Sequence, residues 1–416
     1  MSFGSSQNGW NRDRKGGQLQ VGRETVSEVM KRSFRAAAYA VLIVAISAGI
    51  WWAYREKRPE TALPGRAGAL KPEPHAGRQR SGTAAPSAAT GNQPAMVAEN
   101  LLQRLAADLD AHRAEKSRSE LAGLHARLQK LPRNEAAGQL LAFLKSGVDA
   151  GTGLPFEVGR GGRLTTAPTL RVAALDWLGE FDPAAAAEMA RPVFASSNSA
   201  DEWALALRNY YRQNQPPDAY FVARVGEEFS REDWLQNPSA GLAESLDFPV
   251  AIGGSEGFGV LLGLLQRSPA MRWAALAALD AWVLEGRATA IPLLAGTDAG
   301  ALDEGSRAAM LARADIRDEA QRQAIESYLA AARVPEGAKA EFLRQFPNQS
   351  MIVGNHLVTA SRPMTLRESA QLDVAALQFV DGLIKEGSRP ELSKELGASR
   401  ERLAGFVESA RKGGQL

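Results

Sequence analysis

Two stretches decide how this chain folds: P-T-L-R-V-A-A-L-D-W-L, from Pro168 to Leu178, and P-A-M-R-W-A-A-L-A-A-L, from Pro269 to Leu279. Proline, an apolar residue, arginine, a second apolar residue, Ala-Ala and leucine recur in the same order, with another leucine three positions on. Proline suits the first turn of a helix, and the apolar positions fall on one helical face. An Ala-Ala pair has no bulk to hold a neighbouring helix away, so each copy is expected to open a closely packed helix pair. In the first copy the second helix begins at Asp182-Pro183, an N-cap followed by proline at N1, and continues through A-A-A-A-E-M-A-R-P-V-F. Between the copies, A-D-E-W-A-L-A-L-R-N-Y-Y from Ala200 and P-P-D-A-Y-F-V-A-R-V from Pro216 predict another hairpin.

The pattern R-x-A-A-L-x-x-L-G-x-x-D, from Arg171 to Asp182, resembles the first helix and turn of a HEAT-like repeat. The resemblance covers two or three units and carries no functional residues. It implies a stacked-helix surface that binds other macromolecules.

Outward from these units the three-and-four spacing persists. Leu102, Leu105, Leu109 and His112 predict one amphipathic helix, and Leu121, Leu124, Leu128 and Leu131 predict another behind a capping box, Ser117-x-x-Glu120. Pro132 ends it, and Asn134 is placed to cap a third helix through Leu140, Leu141, Leu144 and Val148. The segment from Gly151 to Ala167 is too rich in glycine for helix and reads as a functional or mobile loop. Further capping boxes fit Thr365 to Glu368, ahead of Leu372, Ala376, Val380 and Leu383, and Ser388 to Glu391. No run of strands alternates with these helices, which argues against α/β folds. The predicted class is all-α: a helical-hairpin repeat, α-solenoid-like domain over residues 96–416, behind an N-terminal transmembrane helix.

That transmembrane helix is read from Ala36 to Tyr54, A-A-A-Y-A-V-L-I-V-A-I-S-A-G-I-W-W-A-Y, which has no charge and no proline. At about 1.5 Å per residue it would be roughly 28 Å long, against a hydrocarbon core of about 30 Å. Lys31, Arg32 and Arg35 precede it, Arg55, Lys57 and Arg58 follow, and Trp51, Trp52 and Tyr54 occupy a headgroup boundary. Residues 1–35 read as a disordered basic tail and residues 55–95 as a Pro/Ala/Gly-rich linker. A cleaved signal peptide would need a shorter leading region and a small-residue cleavage site, whereas Trp-Trp closes this stretch. The lipid bilayer is therefore one expected partner, and the cell inner membrane the expected location. Tail and linker carry seven Lys and Arg each, so charge alone does not orient the anchor. A long domain translocates largely regardless of charge, while a basic tail resists crossing, so the helical domain is expected outside the cytoplasm, periplasmic in a Gram-negative cell.

Charge is distributed unevenly. The first 97 residues hold 14 basic and 6 acidic residues, and the remainder 35 and 41. An acidic body argues against broad nucleic-acid binding. Cysteine is absent, which excludes disulfides, thiolate metal sites and cysteine nucleophiles.

Three constellations bear on chemistry. Gly253-Gly254-Ser255-Glu256-Gly257 matches G-x-S-x-G, with apolar F-P-V-A-I before it, a helical pattern after it and His356 downstream, the order a serine hydrolase uses. A hydrolase sheet is missing, and a glycine connection entering a helix explains the motif better. Residues 391–407 resemble a helix-turn-helix, with Gly397 as the turn, Ser399 as the cap and Arg400 and Arg402 placed to read bases. Any terminal helical hairpin needs a glycine and a cap, so the preferred reading has no nucleic-acid partner. The histidines 75, 112, 125 and 356 show no ligand spacing. No catalytic, cofactor-binding or metal-binding residue is assigned, no cofactor is expected, and the anticipated partner besides the membrane is another protein.

Overall fold

The computed structural model describes residues 102–297, 302–351, 354–360 and 363–416. The basic tail, the apolar stretch Ala36–Tyr54 and the linker lie outside the described residues, as does His75. Residues 102–108 are helical. They are followed by α1 (Ala114–Leu128) and α2 (Arg133–Ser146), then by a short antiparallel hairpin, β1 (Glu157–Val158) with β2 (Leu164–Thr166). Next come α3 (Leu170–Phe181), α4 (Pro183–Ser196), α5 (Ala200–Gln213) and α6 (Ala219–Glu228). Three short helices follow, α7 (Glu232–Gln236), α8 (Ala240–Glu244) and α9 (Asp247–Ile252), before α10 (Gly254–Arg267), α11 (Arg272–Glu285) and α12 (Arg287–Gly296). The chain ends with α13 (Glu304–Leu311), α14 (Glu319–Ala330), α15 (Glu336–Gln345), α16 (Leu366–Glu386) and α17 (Ser393–Lys412). The described residues are thus all-α apart from one hairpin. None of their helices is long and apolar enough to cross a membrane.

Local chemistry sets many of these boundaries. The side chains of Thr169, Asp182, Ser199 and Asp218 each accept an N–H from the first turn of the helix they open, and Pro183 stands at N1 of α4. Thr365 and Glu368 form the predicted capping box at α16, and Gly387 ends that helix at φ +62°. One buried apolar cluster runs from Leu102 to Leu403. Consecutive helices pack as pairs at α4–α5, α10–α11 and α16–α17, and next-but-one contacts join α3 to α5, α12 to α14 and α13 to α15. Phe194 of α4 lies 4.9 Å from Trp203 of α5, ring centre to ring centre.

Several boundaries depart from expectation. Ser117 lies inside α1 and donates toward the Asp110 carbonyl, while Glu120 pairs with Lys116, so no capping box forms there. Pro132 rather than Asn134 holds the N-cap position of α2. The prolines of the two repeated stretches precede their helices: Thr169 caps α3, and Pro269 sits in a turn ahead of α11. Ser388 caps nothing, since Arg389 precedes a 3-10 turn at Pro390–Leu392.

The helix-turn-helix resemblance of residues 391–407, kept only as an alternative, does not match the fold. Gly397 is helical, Ser399 is buried within α17, and the segment from Ser393 onward is one continuous helix. A glycine in a helix interior costs only about 1 kcal/mol against alanine, which packing against α16 outweighs. Arg400 pairs with Asp381 at 2.6 Å, and Arg402 donates to the carbonyls of Arg344 and Leu343. Both arginines serve internal bonds.

Candidate functional site

The glycine-rich segment after α2 is fastened down. Its glycines permit backbone turns at φ of about +70°, and Gly162 lies so close to the Leu357 carbonyl that a Cβ would overlap it. Arg208 on α5, 0% exposed, donates to the Gly162 carbonyl at 2.8 Å, to Asp176 on α3, and to Asn209. Asp176 also accepts the Leu164 N–H, and Arg212 donates to the carbonyls of Gly161 and Leu357. This buried ion pair is a fastening for the hairpin, with its polar atoms turned inward.

The hairpin and α1 together cover the outer face of α3. His125 stacks on Trp177 at 5.2 Å and bonds Glu180 at 2.9 Å, and Arg163 from the hairpin pairs with the same carboxylate. Burial opposes ionisation of Glu180, but the bonds from His125 and Arg163 prevail and hold its carboxyl below the usual range. Arg171, the arginine of the repeated motif, grips Glu202 through two bonds and the Leu144 carbonyl with a third.

The second copy of the motif, α11, has the same apolar character but is covered less fully, with Ala274, Ala278 and Ala281 partly buried and Trp273 and Ala277 exposed. Its inner face, Ala275, Leu279, Trp282 and Val283, is buried. Its outer face carries Trp273, Ala274, Ala277, Ala278, Ala281 and Leu284 at helical spacing. Trp273 is 76% exposed. Its counterpart in the first copy, Val172, is fully buried, and the counterparts of Ala277 and Ala278 are the covered Asp176 and Trp177.

Four of these alanines line a cleft of about 260 Å³ between α11 and the α8–α9 segment, with Met351, His356 and Thr359 also lining it. The acidic groups around it are Glu244, Asp247, Asp280 and Glu285, and no lysine or arginine lines it. Two are internally satisfied. Asp247 accepts the N–H groups of Val358 and Thr359 at 2.6 and 2.9 Å, and Asp280 is held by Arg313 through bonds of 2.5 and 2.7 Å. Glu244 is different: among the described residues neither a hydrogen bond nor an ion pair reaches it. Burial, reinforced by the Asp247 carboxylate, pushes its carboxyl up to about 7.

The residues read as a hydrolase pair are not brought together. His356 lines this cleft, whereas Ser255 is exposed in the first turn of α10 and no hydrogen bond joins the two. The apolar F-P-V-A-I before the glycines is helix α9 rather than a strand, and Gly253 and Gly254, both at positive φ, make a helix-to-helix turn. No group of three or more potential metal ligands occurs among the described residues. Sequence reading passed over Trp273 and Glu244. The signal available for Trp273 was a helix whose apolar residues spread well beyond one stripe, interrupted only by Arg272, Asp280 and Glu285. Comparison with protein-family models, with curated proteins and with solved structures finds no match to this chain.

Proposed function

We propose that the chain is a single-pass, membrane-anchored helical-repeat protein that acts as a binding or scaffolding module of the cell envelope rather than as an enzyme. The observation that carries the binding role is the less covered face of α11: the equivalent face of α3 is a packing surface, while this one presents an exposed tryptophan beside an alanine-lined cleft. A HEAT-like organisation is supported by next-but-one helix contacts, which stacked helical layers produce. The anchor rests on the uncharged stretch Ala36–Tyr54 and its aromatic and basic flanks.

Membrane extraction tests the anchor. The full chain should resist alkaline carbonate, and deletion of residues 36–54 should release it; retention of the deleted chain would refute the anchor. Topology follows from Ser87→Cys in a chain without native cysteine. An impermeant maleimide should label it in intact spheroplasts, and labelling only after lysis would place the domain in the cytoplasm. Labelling of Ser255 by a fluorophosphonate would overturn the non-enzymatic reading.

A further inference from the structure

Three arginines stand near one another where the connection between α13 and α14 passes the start of α12, and two of them have carboxylates of their own. Arg313 is held by Asp280 through bonds of 2.5 and 2.7 Å, and Arg317 by the two oxygens of Asp315 at 2.8 and 2.6 Å. Arg287, the first residue of α12, has none. Among the described residues neither a hydrogen bond nor an ion pair reaches its guanidinium, and its Nε is shut off from water without an acceptor. Burial above all, then the Arg313 and Arg317 charges, draws this guanidinium below its usual range against the pull of Asp315. A cation so placed is uncommon, because without a counter-charge its desolvation cost is not offset.

Arg287 lines a cleft of about 520 Å³, well within the range of about 300–1,000 Å³ typical of small-molecule sites. Its terminal nitrogens, neither bonded nor closed off, are the part of it that the cleft reaches. Arg317 lines the same cleft and spends Nε and Nη2 on Asp315, which leaves Nη1 as a second donor. The other polar groups of the wall are occupied. Gln349 donates to Asp373 and exchanges bonds with Ser369, and Glu368 accepts the Thr365 N–H and hydroxyl at 2.8 Å each. Glu285, two residues before Arg287, lines the alanine cleft instead. The rest of the wall is apolar and includes Leu284, Met351, Met364 and Leu366, the last 70% exposed.

We infer that this cleft is a binding site for a small organic anion, which sets a carboxylate against Arg287 and lays an apolar body on Leu284, Met351, Met364 and Leu366. The anion supplies the counter-charge that the fold leaves out, through the paired N–H groups a guanidinium offers a carboxylate. Apolar walls strengthen that attraction by keeping water from it. They also favour an organic ligand over an inorganic ion, since burial contributes in proportion to the apolar area removed from water. The site goes beyond the binding role of α11: its ligand is a small molecule, and its cleft is a different one.

The test titrates the full-length chain, in phosphatidylcholine nanodiscs, with phenylbutyrate, phenylbutanamide and inorganic phosphate by calorimetry. Phenylbutyrate should bind saturably and at least about tenfold more tightly than the other two, because the amide has its shape without the charge and phosphate a charge without the apolar body. Arg287→Gln should weaken phenylbutyrate at least about tenfold. Its thermal midpoint should be unchanged or raised, because the substitution removes a cation that nothing in the fold pairs. Phenylbutyrate should raise the midpoint of the native chain and not that of Arg287→Gln. Leu366→Asp, at an exposed wall position, should weaken binding severalfold by setting a like charge beside the ligand. Absence of saturable phenylbutyrate binding, equal affinity for the amide or for phosphate, or native affinity in Arg287→Gln overturns the inference. So does a lowered midpoint in that variant, which would make Arg287 a structural residue. The anchored-module reading is tested separately, by the carbonate extraction.

Discussion

Replacing Arg208 with methionine should unfold the hairpin side of this domain first and destabilise the whole. Arg208 is fully buried, and its partner Asp176 is 3% exposed. The substitution keeps much of the side chain's length and apolar packing but leaves the Asp176 carboxylate in the interior with the Leu164 N–H at 3.3 Å as its remaining bond. Removing one member of a buried ion pair costs about 3–5 kcal/mol, because the surviving charge has neither water nor a counter-ion. Losing the Gly162 carbonyl's bond places the expectation in the upper half of that range. At about 2 °C per kcal/mol, suited to a large domain, Tm should fall by roughly 8 °C. Urea unfolding supplies the free energy, and hydrogen exchange the location: amides of residues 157–166 should lose protection before the rest. Asp176→Asn alone should also cost about 3–5 kcal/mol, leaving the arginine uncompensated, and the double variant should cost well under the sum. A loss below about 1 kcal/mol for Arg208→Met, or strict additivity of the two changes, would show that the pair does not fasten the hairpin.

Two further outcomes follow from the same core. Gly162→Ala should cost at least about 2 kcal/mol in urea, since φ is +69° and the new methyl would overlap the Leu357 carbonyl; a neutral effect would mean the hairpin does not approach that carbonyl in solution. Glu228 is fully buried, with Ser245 donating to one oxygen and nothing to the other, and burial raises its carboxyl well above the usual range. A raised carboxyl favours the fold below the unfolded value of about 4.3 and loses that contribution as pH climbs toward the folded value. Glu228→Gln should therefore gain stability relative to the native chain between about pH 5 and pH 8, and parallel urea midpoints at the two pH values would contradict it.

The reach of the sequence can be traced through particular residues. Asp182-Pro183 and the Thr365 to Glu368 box set helix starts that the structure reproduces, because a cap is decided by atoms within four residues of one another. The same local rules misplace Ser117, whose hydroxyl turns to the Asp110 carbonyl, and Ser388, whose hydroxyl accepts from the Arg389 guanidinium. Gly397 reads as a turn by composition and is helix by packing, since contact with α16 is invisible to a short window. The all-α class and the kinship of α3 and α11 were legible in apolar periodicity, which depends only on which faces must leave water. That α3 would be wrapped and α11 covered less fully was not. It depends on where α1 and the hairpin come to rest, and on Arg208, more than thirty residues from Asp176 in sequence, closing the pair that holds them. The sequence by itself therefore determined the helices and the repeated motif, through short-range propensity and periodicity. Only tertiary structure decided which copy of that motif remains the less covered, because burial of a helix face is set by long-range packing.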